Sequence, residues 1–283
     1  MVKVRLTKLD GTVVEKWVEK PRYGGTLRML VSSDPVDLDQ NIGLEHSTWS
    51  MGLTNEELFE GDWARGPAGT GEARWVITTL YTPPNLMVGV LAEKIWEVPD
   101  ANTLVFHIRK GVKFAVNPQS EASRLVNGRE LNADDVVFSF TRTWTNPRSY
   151  VATTYPYAEY IESITAPDKW TVVIRAKPGK IGPVFLTATV NVRIVPREVV
   201  EKYGDLRGWR NSVGSGPFML MDYVTGAALT FARNPNYWRK DPVHPENRLP
   251  YLDSVKMMII PDAVQIRNFT KPWRNDLDSN SYP

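Results

Sequence analysis

The chain has 283 residues, 42% of them hydrophobic, which is enough to form a sizeable core in one large domain or two ordinary ones. Its 34 basic and 32 acidic residues leave a net charge of +2, and no Lys/Arg cluster supplies the basic patch that nucleic-acid binding needs. The absence of cysteine excludes disulfides and thiolate metal sites. No apolar run reaches the roughly eighteen residues of a membrane helix, and the first twenty residues lack the apolar core of a secretory signal.

The beginning of the chain predicts a hairpin followed by a strand. Residues 1–21 are expected to form a short extension or hairpin around a turn at Asp10-Gly11. The apolar run 27–31 then ends at Ser32-Ser33-Asp34-Pro35, which predicts a strand and the loop after it.

An acidic segment and a glycine-rich segment come next. Glu56, Glu57 and Glu60 are interpreted as the solvated face of a helix, with paired catalytic carboxylates as the alternative. The run Gly66-Pro-Ala-Gly-Thr-Gly71 lacks the Gly-Lys-Ser/Thr ending whose lysine and hydroxyl hold phosphate and magnesium. We therefore expect a flexible loop there.

The clearest local signals lie between residues 91 and 144. Apolar residues alternate along residues 103–109, which predicts a half-buried strand, and Asn127-Gly128 predicts a turn. A helix should follow, with Asn132 as its cap and with Asp134 and Asp135 in its first turn, where carboxylates favour the positive end of the helix dipole. Its buried face is expected to hold Val136, Phe140 and Trp144, which recur every fourth residue.

The second half of the chain predicts two hairpins and a short helix. Ala166-Pro-Asp-Lys169 is expected to be a type I turn between two strands, and Thr225-Gly226 to join two more. Between them, Pro196 and Gly204 bracket a short helix.

Few residues suggest chemistry. The three histidines, His46, His107 and His244, lack the spacing of a zinc helix. Ser215 lies in Gly214-Ser-Gly-Pro217, but this segment leads into a strand, whereas a nucleophile elbow leads from a strand into a helix. We interpret it as a tight turn, and we assign Asp134 and Asp135 to helix capping rather than to catalysis.

Four further motifs follow in a fixed order. They are Ile164-Thr-Ala-Pro-Asp-Lys-Trp-Thr-Val-Val-Ile174, Gly214-Ser-Gly-Pro-Phe218, Arg233-Asn-Pro-Asn-Tyr-Trp238 and Tyr251-Leu-Asp-Ser-Val-Lys-Met-Met-Ile-Ile-Pro-Asp262. With the run 91–144, they resemble the extracellular solute-binding proteins, family 5, the peptide- and nickel-binding components of ABC importers. The resemblance covers about residues 22–262 and departs from the family at residues 115–126, which we expect to form an inserted surface loop.

The resemblance implies a mixed α/β (α+β) fold, the N-terminal lobe of a type II, periplasmic-binding-protein-like architecture with an inserted second subdomain. The expected parts are an N-terminal extension (1–21), a discontinuous first lobe (22–45 plus 161–262), the inserted subdomain (46–160) and an unaligned tail (263–283).

The resemblance also implies a function. The chain is expected to be the N-terminal fragment of a substrate-binding component that captures peptides or a similar small solute outside the membrane and delivers it to an ABC permease. We expect a periplasmic or extracellular monomer, lipid-anchored or not in the precursor, with no enzymatic activity, cofactor, metal or nucleic-acid partner. A ligand-sensing or scaffold module of the same fold is the alternative, and a secreted hydrolase a more remote one. Peptide, nickel, haem and sugar all stay open as the solute.

Two groups of residues are expected to contact the ligand. The resemblance points to the loop residues Ser32, Ser33 and Asp34, and to Glu60 and Gly61. Aromatic side chains offer large apolar area with a polar handle, and the densest group consists of Tyr150, Tyr155, Tyr157 and Tyr160. The first three tyrosines are candidates for ligand contact, with packing at the edge of the second subdomain as the alternative.

Overall fold

A computed structural model describes residues 1–39, 41–43, 52–66, 69–73, 83–189 and 192–261. The strands in these ranges are β1 (Val2–Thr7), β2 (Val13–Val18), β3 (Thr26–Val31), β4 (Phe59–Gly61), β5 (Met87–Gly89), β6 (Glu97–Asp100), β7 (Thr103–His107), β8 (Ile161–Asp168), β9 (Thr171–Ala176), β10 (Phe218–Val224), β11 (Ala228–Arg233) and β12 (Ser254–Ile259). The α-helices are α1 (Glu121–Val126), α2 (Ala133–Thr145), α3 (Tyr150–Thr154), α4 (Tyr157–Tyr160), α5 (Ile181–Thr189) and α6 (Arg197–Tyr203). The fold is mixed α/β, as expected.

The first strands form the predicted hairpin, in which β1 pairs antiparallel with β2. Its turn includes Gly11, whose φ of 85° suits glycine. Val4 and Leu6 on β1 are buried, whereas most of β2 is exposed. The hairpin therefore has one face against the protein and one in solvent.

One four-stranded sheet has the order β10-β11-β12-β3. The hairpin β10–β11 turns through Gly226, as the sequence predicts. Strand β12 pairs with β3 in parallel, so the third and the last strands of the described chain are neighbours in one sheet. Its core includes Phe218, Phe231 and Met257.

The other four-stranded sheet is antiparallel, with the order β6-β7-β9-β8. Leu104, Phe106 and Ile108 are at most 1% exposed, which confirms the alternation along β7. The hairpin β8–β9 is also confirmed, but its turn is Lys169-Trp170 rather than 166–169. The strand continues past Pro167 because Asp168 pairs with Thr171.

The predicted domain division at residue 160 falls within this second sheet. Strand β7 precedes the division and β9 follows it, yet the two are hydrogen-bonded neighbours from the pair Thr103–Arg175 to the pair His107–Thr171. Helix α2, also from the inserted part, packs on β8 and β9. Strands joined in one sheet share a core, so the sheet belongs to one structural unit that spans both sides of residue 160.

Helix α2 has the predicted beginning and the predicted buried face. The Asn132 side chain accepts from the N–H groups of Asp134 and Asp135, and the Asp135 carboxylate accepts from the Asn132 N–H, which completes a capping box. Val136 and Phe140 on its inner face are fully buried. The short helix α6 likewise lies between Pro196 and Gly204, as predicted.

The expected surface loop at 115–126 is wrong. Its second half is helix α1, and Ala122 and Val126 belong to the main hydrophobic core. The Asn117 amide donates to the Leu220 carbonyl on β10 (3.2 Å), and the Ser120 hydroxyl donates to the Arg210 carbonyl (2.6 Å). The segment is packed because half of its side chains are buried against the protein while the others face solvent; the buried ones are Ala115, Asn117, Ser120, Ala122, Ser123 and Val126.

A buried ion pair connects α2 to the loop after β3. The Arg142 guanidinium donates to both carboxylate oxygens of Asp39 at 2.6 Å, and the two side chains are 8% and 0% exposed. The same carboxylate accepts from the backbone N–H groups of Asn41 (3.1 Å) and Leu206 (3.0 Å). Such full hydrogen bonding compensates for the cost of removing the two charges from water.

Replacing one member of this pair should destabilise the protein. Arg142→Met leaves the Asp39 carboxylate buried without its cation, so we expect the free energy of unfolding to fall by about 3–5 kcal/mol in urea denaturation. The matched control is Arg197→Met, which removes the exposed Arg197–Glu201 pair and should change stability by no more than about 0.5 kcal/mol. Equal losses in the two variants would contradict the role given to Asp39–Arg142.

Candidate functional site

A buried carboxylate lies on the segment between the two hydrophobic cores, since Leu53 packs against one core and Leu58 belongs to the other. Glu56 is 7% exposed, and three side chains donate to its carboxylate. Ser215 Oγ (2.8 Å) and Trp238 Nε1 (3.1 Å) bond to Oε2, and Tyr237 Oη (2.8 Å) bonds to Oε1. The donors come from residues 159 to 182 positions later in the chain. Glu56 therefore fixes the Gly214–Pro217 and Arg233–Trp238 motifs against the segment that leads into β4.

The buried position changes the acid–base behaviour of this cluster. Burial raises the pKa of Glu56, although the hydrogen bonds from Trp238, Ser215 and Tyr237 act in the opposite direction. Burial and the nearby Glu56 charge also raise the pKa of the Tyr237 hydroxyl well above its ordinary value, so this hydroxyl stays protonated and donates.

Two glycines allow the close approach that this cluster requires. A Cβ at Gly214 would lie 2.0 Å from the Thr54 carbonyl oxygen, and one at Gly216 would lie 2.7 Å from the Thr54 carbonyl carbon. The Gly216 N–H donates to the Thr54 oxygen at 2.9 Å. The Gly-Ser-Gly-Pro motif is thus a backbone contact surface, a role that its interpretation as a tight turn missed.

The interpretation of the acidic segment as a solvated helical face is wrong. Glu56 and Glu57 are buried, and residues 55–57 have no regular secondary structure. Glu60 forms an ion pair with Arg239. Desolvation acts to lower the pKa of Arg239, but the charge and hydrogen bond of Glu60 outweigh it, and the pKa lies above its ordinary value. Gly61, the other predicted residue in this segment, is buried.

A basic cavity of about 490 Å³ opens beside this cluster. Arg109 and Trp238 line it together with Lys110 and Arg248. The Arg109 guanidinium donates to the carbonyls of Gly89, Val90, Ala92 and Glu93 at 2.7 to 3.5 Å, and it lies 4.7 Å from the centre of the Trp238 ring. Its position is therefore fixed before any ligand arrives.

The predicted loop after β3 is partly exposed and partly anchored. Ser32 and Ser33 are exposed, whereas the Asp34 carboxylate accepts from Tyr223 Oη (2.6 Å) and from the Gly226 N–H (2.9 Å). These bonds lower the pKa of Asp34, the Tyr223 bond most, so the carboxylate is ionised and attaches the loop to the β10–β11 turn.

Tyr150 begins α3, Tyr155 follows this helix, and Tyr157 begins α4, which packs on the edge strand β8 of the antiparallel sheet. Tyr150 and Tyr155 are 45% and 48% exposed. Tyr157 is half-buried, with its ring 5.3 Å from that of Tyr155 and 6.4 Å from that of Trp144, a core residue. The tyrosines, Asp34 and Glu60 therefore have separate sets of partners in three parts of the molecule.

The two histidines in the described residues, His107 and His244, have separate partners. His107 Nε2 lies 3.1 Å from Glu97 on the neighbouring strand, and His244 is buried beside Glu246. His46 lies outside the described residues. Within the described ranges, no group of three or more His, Asp or Glu side chains is arranged to hold a metal ion, and no helix has the length and apolarity needed to cross a membrane.

Solved structures with a similar fold over most of this chain identify the class of fold. The oligopeptide-binding protein AppA from Bacillus subtilis, solved with a nonapeptide, matches with a TM-score of 0.65 at 22% identity, over 90% of this chain and 44% of that chain. The periplasmic binding protein DppA from Helicobacter pylori, solved with the peptide STSA, matches with a TM-score of 0.64 at 19% identity, over 90% of this chain and 46% of that one. The fold is that of the type II periplasmic binding proteins.

Sequence comparison then identifies the family. The profile described as bacterial extracellular solute-binding proteins, family 5 Middle, matches residues 87–271, and the chain belongs to this family. It is 34% identical over 191 residues to heme-binding protein A of Haemophilus influenzae, covering 61% of this chain and 32% of that protein. It is 30% identical over 211 residues to the dipeptide-binding protein of Escherichia coli, covering 68% and 36%. The chain thus spans about a third of the length of these curated relatives.

The close backbone approach at Gly214 predicts a large effect of a small change. Gly214→Ala places a methyl group against the Thr54 carbonyl, and we expect a loss of about 2 kcal/mol in the free energy of unfolding. The control Gly182→Ala, in helix α5, meets nothing within 4 Å and should be neutral or stabilising by up to about 1 kcal/mol. Thermal unfolding of both variants checks this, and a tolerated Gly214→Ala would show that the contact is not tight.

The buried carboxylate predicts a pH dependence of stability. Because the folded-state pKa of Glu56 lies above its ordinary value of 4.5, its contribution is complete at lower pH and is lost as the pH rises through the folded-state pKa. Glu56→Gln is neutral throughout. Urea denaturation from about pH 4 to about pH 8 should therefore show the variant gaining stability relative to the wild type as the pH rises. The exposed-site control Glu121→Gln should parallel the wild type, and a pH-independent difference for Glu56→Gln would contradict the raised pKa.

Proposed function

We propose that this chain is the N-terminal part of a substrate-binding component of an ABC importer, which captures a peptide or similar small solute outside the membrane and delivers it to the permease. The family match over residues 87–271 carries this proposal. The names of the relatives support it, since they include a dipeptide-binding protein and a periplasmic oligopeptide-binding protein. Capture of this kind proceeds by hinge closure around the ligand and requires no covalent step.

The arrangement around Ser215 favours binding over hydrolysis. Ser215 is fully buried, and its hydroxyl donates to the Glu56 carboxylate, so a substrate cannot reach it as a nucleophile. The only function of this serine–carboxylate pair that the contacts support is to join two segments of the scaffold. The family itself is one of solute-binding proteins.

The predicted site residues divide into two proposed roles. Ser32, Ser33, Tyr150 and Tyr155 have exposed side chains and are proposed to contact the solute. Asp34, Glu60, Gly61 and Tyr157 are anchored or buried and are proposed to hold the ligand-facing segments in place.

The whole protein is proposed to act as a monomer with two partners, the solute and the membrane-embedded permease subunits. Its proposed location is periplasmic or extracellular, in keeping with a family of extracellular binding proteins. The precursor is proposed to be attached to the membrane by a lipid anchor.

The proposal is tested on the full-length gene product. Native mass spectrometry of the protein purified without denaturation should show a co-purified small molecule. After this is stripped by unfolding and refolding, calorimetric titration with a dipeptide, a nonapeptide and haem distinguishes the solutes named for the relatives. If no solute co-purifies and none of the three titrations shows binding, the capture function is wrong.

A variant pair tests the ligand-contact role of the tyrosines. With whichever solute binds, Tyr155→Ala should weaken the affinity at least fivefold, because it removes about 1 kcal/mol of aromatic contact. The control Trp17→Ala removes an aromatic side chain of similar exposure from the N-terminal hairpin and should leave the affinity unchanged. Unchanged affinity in Tyr155→Ala would assign this tyrosine to packing.

A further inference from the structure

The N-terminal hairpin lies outside residues 87–271, the part of the chain that matches the family profile. It is a two-stranded sheet, so in the described part of the chain β1 and β2 each have a neighbour on one side only. Isolated two-stranded hairpins are marginally stable, and an open strand edge is a template for another strand. The open edge of β1 is therefore a candidate binding surface.

The register of the hairpin shows which backbone groups face this edge. In an antiparallel pair, successive residues alternately point their N–H and C=O groups toward the partner strand and away from it. The Lys8 N–H donates to the Thr12 oxygen across the hairpin (2.8 Å), so the backbone groups of Thr7, Arg5 and Lys3 point outward. The Thr7 carbonyl does accept from the Arg65 guanidinium outside the hairpin. Arg65 covers the edge at Thr7, and the edge continues at Arg5 and Lys3.

A groove of about 590 Å³ runs along this part of the edge. One wall consists of four consecutive residues, 2–5, whereas a cavity over one face of a strand would be lined by alternate residues. Lys20, Tyr23, His244 and Asn247 line the rest. The groove is therefore long enough for about four residues of extended chain, roughly 13 Å, lying beside β1.

The charge of the groove selects an acidic occupant. Lys3, Arg5 and Lys20 line it, against one carboxylate, Glu246. Lys3 is paired with Glu15 at 2.5 Å, while Arg5 and Lys20 have no ion-pair partner among the described residues. Two cations are thus available to an incoming chain.

We propose that the open edge of β1 binds an extended acidic peptide segment of another protein as a third strand. The backbone groups of Lys3 and Arg5 provide the hydrogen bonds, and Arg5 and Lys20 pair with carboxylates of the segment. Binding by strand addition of this kind obtains affinity from the main chain and selectivity from side chains. This site is independent of the solute site and does not rest on the proposed function.

Binding of labelled peptides to the whole chain tests both the preference for acidic side chains and the pairing of backbone groups. A fluorescein-labelled octapeptide of alternating Glu and Val is titrated by fluorescence anisotropy, beside one of alternating Lys and Val. The acidic peptide should bind at least tenfold more tightly and should weaken with added salt. N-methylation of alternate residues in one of the two registers should abolish binding, because it removes the N–H groups that face β1. Equal binding of the two peptides, or insensitivity to N-methylation in both registers, would overturn the proposal.

Two proline variants separate the two edges of the hairpin. Arg5→Pro removes an outward N–H of β1 and should weaken binding of the acidic peptide at least tenfold. The control Val13→Pro removes an outward N–H from the other edge of the hairpin, on β2, and should leave this binding unchanged. Arg5→Glu, which keeps the backbone intact, should also weaken binding at least tenfold. Equal effects of the two proline variants, or sedimentation showing that the edge is occupied by a second copy of this chain, would contradict the assignment.

Discussion

The buried Glu56 carboxylate is the interaction that connects the segments around the two hydrophobic cores. A carboxylate in the interior needs hydrogen-bond donors, and here all three donors come from two motifs far along the chain. Those motifs can reach it only because Gly214 and Gly216 allow the backbone to approach Thr54. The polar cluster, the glycines and the contact between the two cores therefore form a single constraint.

Two ion pairs also connect segments that are far apart in the chain. The Asp39–Arg142 pair joins the loop after β3 to α2, and the Glu60–Arg239 pair joins β4 to the segment after β11. Each pair links parts of the chain that hydrophobic packing alone would leave free to slide, because apolar contacts are not directional. The result is a lobe whose outer loops are carried on a fixed frame.

Local signals in the sequence were sufficient to predict most of the strands, turns and helices. The cap at Asn132, the glycine turns at Gly11 and Gly226 and the alternation along β7 act over a few residues, and the structure confirms them. Predictions failed where the decisive partner was distant. Glu56 and Glu57 resembled a solvated face because the residues that bury them are more than a hundred positions away, and residues 115–126 resembled a loop because their contacts with Leu220 and Arg210 leave no local pattern. The ligand-facing roles of Ser32, Ser33 and the tyrosines stay predictions, since no contact within the chain reports on a solute.

The parallel pairing of β3 with β12 also has a consequence for the order of events during synthesis. The two strands are 228 residues apart at the Thr26–Ser254 contact, so β3 leaves the ribosome long before its partner exists. At about 5–20 residues per second, that interval is roughly ten to fifty seconds. During this time β3 has no partner strand, because β10 and β11 of the same sheet are also synthesised late, and chaperones can bind it before the fold closes.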